Sequence, residues 1–177
     1  MPGPPRKTAL RSFRISREAD EILQKEAAAR GLSVNALVSQ IFQKFVEWDR
    51  FAERYGFVSI QRDGFQAMHE ALGDEGLIKM AKEIGSRNPR EASLFWFKRV
   101  DLESFLSWLS LQCRYAKIAE YEMERNGKQC SITLHHALGE RYSLFLGTWC
   151  DQALRTIAHV IPKFETTKNS IVLSFEV

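Results

Sequence analysis

Residues 10–15, Leu-Arg-Ser-Phe-Arg-Ile, combine side-chain types that can read nucleic-acid bases. In an extended chain successive side chains alternate, so Leu10, Ser12 and Arg14 share one face while Phe13 and Ile15 share the other. An arginine such as Arg14 can grip guanine with two hydrogen bonds. A serine such as Ser12 makes a less selective bond, and Leu10 can touch a thymine methyl group. Around this stretch residues 1–17 carry five basic groups, Arg6, Lys7, Arg11, Arg14 and Arg17, and no acidic one. Such an arm suits a phosphate backbone.

Other groups invite different chemistry and support it less. His135 and His136 are adjacent, so on a regular strand they face opposite ways and cannot both bind one metal ion. No CxxC pair, HExxH, GxSxG or glycine-rich phosphate loop occurs. Glu120, Glu122 and Glu124 fall on one face of a strand with no histidine or metal motif beside them, which is the pattern of a solvated sheet face. Phe95-Trp96-Phe97 and Trp108 fall at core spacing, with an effector pocket as the alternative. No enzyme is expected, and no cofactor or metal.

The elements that would position Arg14 and Ser12 follow directly. Ser16 is a helix N-cap, with Glu18 and Asp20 in the first turn near the positive end of the helix dipole. Gly31 ends that helix. Ser33 caps a second helix whose apolar residues Val34, Leu37, Val38, Ile41, Phe42 and Phe45 form an unbroken stripe, wider than one short helix can cover. A lone six-residue strand leaves half its backbone groups unpaired. The sequence offers no partner strand before residue 115, so a second copy of the chain is expected to supply one. Phe13 and Ile15 would then be buried under a two-stranded ribbon.

Arg14-Ile15-Ser16, Leu23, Ala27, Gly31-Leu32-Ser33, Asn35 and Leu37-Val38 resemble the ribbon-helix-helix fold of small prokaryotic DNA-binding repressors. The resemblance covers about the first 50 residues. It implies a homodimer whose ribbon enters the major groove of double-stranded DNA with Leu10, Ser12 and Arg14 as readers. It also implies that the amides of Ser33, Val34 and Asn35 hold a phosphate, which suits a helix N-terminus. Leu10 departs from the pattern, where a polar reader is usual.

Composition bounds the remainder. The chain has 177 residues, a hydrophobic fraction of 45% and a net charge of +3, enough for a core in one domain or two small ones. Residues 1–54 hold 10 Lys and Arg against 7 Asp and Glu, and residues 55–177 hold 15 against 15. The basic excess is thus N-terminal. Cys113, Cys130 and Cys150 lie in apolar stretches and read as reduced, buried thiols of a cytoplasmic protein. No run approaches the roughly 18 apolar residues of a membrane span, and the N-terminus has no apolar signal core.

Helices are expected at about 62–72 and 74–85, with Gly73 and Gly85 as punctuation, and at 88–97, opened by Asn88-Pro89. Asp101 should cap another. Asn126-Gly127 reads as a two-residue hairpin turn pairing Met123 with Cys130, Tyr121 with Ile132 and Glu124 with Gln129. A helix at about 139–157 and strands at 159–165 and 169–177 complete an α+β pattern, helices packed on an antiparallel sheet.

The expected organisation is a flexible basic arm (1–7), a ribbon-helix-helix DNA-binding domain (8–54), a helical connecting segment (55–100) and an α+β sensor or oligomerisation domain (101–177). The expected function is a sequence-specific transcriptional regulator with a C-terminal domain that binds a small-molecule effector or drives higher homo-oligomers. The alternative is an antitoxin-like protein-interaction module in which DNA binding is secondary. The aromatic-rich C-terminal part weighs against it, since such antitoxins often end in a disordered tail.

Overall fold

The computed structural model describes residues 9–177 and divides into two units, Met1–Phe45 and Val46–Val177. In the first unit, helix α1 (Arg17–Ala29) and helix α2 (Val34–Lys44) are set by local chemistry. The Ser16 hydroxyl accepts from Ala19 N–H at 3.1 Å, and the Ser33 hydroxyl accepts from Ala36 N–H at 3.2 Å. Gly31 takes φ +64, and Leu32 N–H returns to Ala27 O at 2.9 Å while Gly31 N–H returns to Ala28 O at 3.1 Å. This is a complete Schellman closure, and it reverses the chain between the two helices.

The ribbon expected before α1 is absent. Residues 9–16 form no strand, and Phe13 and Ile15 are 65% and 54% exposed rather than buried. A strand exists through hydrogen bonds to a neighbour, and the described residues of this unit give these backbone groups no partner strand. Instead Phe13 lies against Phe42 of α2, ring centroids 5.6 Å apart. The first unit therefore starts as an extended segment followed by two helices and is not the expected ribbon-helix-helix. Its fully buried apolar side chains, among the described residues, are Ala27 and Leu37.

A π-helical turn, π1 (Phe45–Asp49), carries the chain from the first unit into the second and is continued by α3 (Arg50–Tyr55). Residues 46–54, grouped in the sequence reading with the N-terminal part, belong here because Trp48 and Ala52 are buried in this core. Helix α4 (Arg62–Ala71) follows. Residues Asp74–Phe97 then form one helix, α5, where two were expected. Pro89 sits inside it, and Gly85 faces α7 (Glu140–Ala158) so closely that an added Cβ would meet Trp149 O at 2.8 Å. The helix runs on through both residues, Gly85 packed closely on α7 and Pro89 buried.

Helix α6 (Leu102–Leu111) opens with the expected Asp101 cap. Asp101 accepts from Ser104 N–H at 2.8 Å, and the Ser104 hydroxyl accepts from Asp101 N–H at 3.0 Å. A second π turn, π2 (Gln112–Ala116), continues α6. Strands β1 (Glu120–Asn126), β2 (Gln129–His135), β3 (Lys163–Thr166) and β4 (Ser170–Glu176) form one antiparallel sheet in the order β1-β2-β4-β3.

The hairpin turns one residue later than Asn126-Gly127. Gly127 and Lys128 form the turn, Asn126 pairs with Gln129, and Gly127 takes φ +61 at the first central position, which a type II′ turn reserves for glycine. Every cross-strand partner shifts by two, so Met123 meets Ile132 and Tyr121 meets Leu134. A shift of two preserves the faces. Cys130, Ile132 and Leu134 pair with Phe175, Leu173 and Ile171, and all six are buried. Helix α7 lies against β3 and β4, and α5 packs on α7. The α+β architecture of helices on an antiparallel sheet holds for this unit. Strand β3 starts four residues later than expected, because His159 caps α7 in the left-handed region.

Candidate functional site

Leu10, Arg11, Ser12 and Arg14 are all exposed in the extended segment before α1. Arg11 donates to the adjacent Leu10 carbonyl at 3.3 Å. Arg6 and Lys7 lie outside the described residues. Ser33 and Asn35 are exposed and Val34 half-buried at the start of α2. Ser33 occupies the amide of Ala36, leaving Val34 and Asn35 at the positive end of the helix dipole with no acidic residue in the first turn. The first turn of α1, by contrast, carries Glu18 and Asp20. The two helix starts differ in sign, and an anion is favoured at α2 alone.

The same unit presents a broad apolar surface. Phe13, Ile15, Ile22, Ile41, Phe42 and Phe45 are each between 48% and 65% exposed. Soluble monomers rarely leave so many large apolar groups uncovered in so small a unit.

In the second unit His136 and His69 are held by their neighbours. His136 Nδ1 accepts from Leu138 N–H at 3.3 Å, so Nε2 carries the ring proton and donates to the Ser143 hydroxyl at 2.9 Å. In that tautomer His136 cannot take a proton from Ser143, and the pair is no nucleophile-base couple. Burial, and secondarily the neighbouring His135, push the His136 ring down to about 4. An unfolded chain has an ordinary value near 6.5. Between pH 6.5 and about 4 the unfolded state therefore binds a proton that the folded state refuses, and stability falls as pH falls through that window. The thermal midpoint should be lower at pH 5 than at pH 7, and His136→Gln should shrink that difference; an undiminished difference would reject the assignment.

His69 Nδ1 donates to Phe65 O at 2.8 Å, and its buried Nε2 has no partner. The rings of Phe65, Phe145 and Tyr142 surround it at 4.5, 4.8 and 5.2 Å. Cys113, Cys130 and Cys150 are free and buried, and burial pushes the Cys113 thiol up to about 12. A protonated, enclosed thiol is a poor nucleophile. Among the described residues no group of three or more His, Cys, Asp or Glu is placed to hold a metal ion. Glu120, Glu122 and Glu124 are exposed along β1.

Two clefts of about 610 Å3 each open in this unit. One is aromatic and apolar, lined by Phe51, Trp96, Phe97, Leu106 and Met123. The other is cationic, lined by Arg62, Arg114, Lys117 and His135, with Glu120 the acidic residue on its wall. The π turns meet between them. Tyr115 OH donates to Glu47 Oε2 at 2.6 Å, Arg114 approaches the same oxygen at 3.5 Å, and Trp96 Nε1–H donates to Glu47 O at 3.3 Å. Trp96 and Trp108 are buried in the core, with Phe95 and Phe97 packed against it, as their spacing suggested, and Trp96 and Phe97 also reach the wall of the aromatic cleft. The cationic cleft was not legible in the sequence, because α4, π2 and the ends of β1 and β2 that form it are distant in the chain.

No family model matches the chain, and no curated protein matches it in sequence. Among the described residues no helix is long and apolar enough to cross a membrane.

Proposed function

We propose that this chain is a sequence-specific DNA-binding transcriptional regulator that acts as a homodimer in the cytoplasm. Its N-terminal unit contacts double-stranded DNA, and its second unit binds an effector or drives assembly. The observation that carries the reading is the exposed segment holding Arg11, Ser12 and Arg14, set beside an uncovered apolar surface in a unit ending at Phe45. Units of about 40 residues usually need a disulfide, a metal or oligomerisation to be stable. With Ala27 and Leu37 as its buried apolar residues, this one is best completed by a second copy. A dimer doubles the basic groups facing one duplex and gives the paired contacts that symmetric operators reward.

Arg14 and Ser12 are the assigned base readers, and the start of α2 is the assigned phosphate contact. Arg14→Ala should weaken binding to the preferred site by about 1–3 kcal/mol, while binding to unrelated duplex changes little. Fluorescence anisotropy with both duplexes across a salt series checks this. Affinity should fall steeply as salt rises, in proportion to the phosphates contacted. If the Arg14→Ala chain retains its full preference for the operator, base reading lies elsewhere.

A further inference from the structure

We propose that the cationic cleft of the second unit binds a small organic oxyanion, with a carboxylate or phosphate as the recognised group. This deepens the effector part of the preceding reading and rests on it only for its regulatory meaning. The cleft lies where the start of α4, the turn π2 and the adjoining ends of β1 and β2 come together, and its volume of about 610 Å3 is that of a small-molecule site.

Arg62 is the first residue of α4, Arg114 comes from π2, and Lys117 ends that turn with φ 58. Three cations from two places in the fold, the start of α4 and the turn π2 with its cap, thus border one concavity whose wall carries one carboxylate, Glu120, while Glu47 pairs with Arg114. Arg114 is oriented by Glu47, itself held by Tyr115, so its position is fixed before a ligand arrives. Among the described residues the side chains of Arg62 and Lys117 have no hydrogen-bond or ion-pair partner. Like charges gathered on partly apolar walls, here Ile118, Tyr121 and Leu138, repel one another and focus the field outward. An anion relieves that repulsion, and a guanidinium beside an ammonium suits carboxylate or phosphate oxygens. The π turn itself is a feature often found at functional sites.

The test uses the full chain without DNA, at ionic strength matched with chloride. Citrate and inorganic phosphate serve as probes in calorimetry and thermal unfolding. At least one should bind saturably and raise the unfolding midpoint, as a ligand selective for the folded state must. Response to citrate alone identifies a carboxylate site, response to phosphate alone a phosphate site, and response to both a general oxyanion site. The double variant Arg62→Ala/Lys117→Ala alters two exposed side chains. It should keep its circular dichroism and lose at least about tenfold in probe affinity, which is roughly 1.4 kcal/mol.

Equal probe affinity in that variant overturns the site. So does the absence of any saturable response beyond chloride. Loss of DNA affinity in the double variant without probe binding to the parent chain would make the cleft a nucleic-acid contact and overturn the proposal. Failure on any of these counts leaves the Arg14 result untouched, so the two readings fall separately.

Discussion

A chain carrying Phe42→Glu is expected to lose its dimer. Phe42 is 49% exposed, meets Phe13 in a tilted ring contact, and lies on α2 next to Ile41. If a second copy covers this surface, Phe42 sits where two apolar faces meet. A carboxylate there must shed its water with no cation supplied in exchange. The expected cost is about 3 kcal/mol, roughly a hundredfold or more in the dimer dissociation constant. Sedimentation at micromolar concentration should show the parent chain as a dimer and the variant shifted to monomer. DNA affinity should fall with it, because half of the paired contacts are lost. The fold of the second unit should be unchanged, since Phe42 belongs to the first. A variant that stays dimeric would place the interface on another surface.

The second large effect concerns the second unit's core. Gly85→Val should destabilise it by about 3 kcal/mol, although valine is the better helix former. The added Cβ would stand 2.8 Å from Trp149 O, 3.2 Å from Gln152 Cβ and 3.3 Å from Trp149 Cα. Two of those atoms are backbone and cannot swing aside, so α5 and α7 must separate. Gly147 offers the contrast. A Cβ there meets the Phe164 ring at 3.0 Å, and Phe164 is 37% exposed on β3 with room to turn. Gly147→Ala should therefore lie within about 1 kcal/mol of the parent. Urea unfolding of both variants separates the cases. Equal stability of Gly85→Val and the parent would mean that the helices do not approach so closely.

Features governed by neighbours in the chain were legible in the sequence. The Ser16 and Ser33 caps, the Gly31 reversal and the Asp101 cap each depend on residues within four positions, and each forms as expected. The apolar face of α7, with Tyr142, Phe145, Leu146, Trp149, Ala153 and Ile157 buried, followed from helical period alone. Features that depend on distant partners were not legible. Alternation at residues 10–15 says which side chains would share a face, but hydrogen bonds from elsewhere decide whether a strand forms, and none reach it among the described residues. Gly85 and Pro89 looked like breaks because their local cost is visible in the sequence, whereas the packing of Gly85 on α7 and the burial of Pro89 are not. The hairpin went wrong by one residue because both Asn126-Gly127 and Gly127-Lys128 satisfy turn chemistry. Arg114 and Lys117 are three residues apart, but Arg62 is distant in the chain, so only the fold gathers all three.

Whether the N-terminal unit is a sequence-reading DNA contact is decided by mapping the chromosomal sites occupied by the full chain at low and moderate salt. Broad occupancy at low salt is expected to sharpen at moderate salt to sites sharing one motif with two-fold symmetry, as a homodimer requires. Recovery of no shared motif at either salt, with the chain folded and present, would contradict that role.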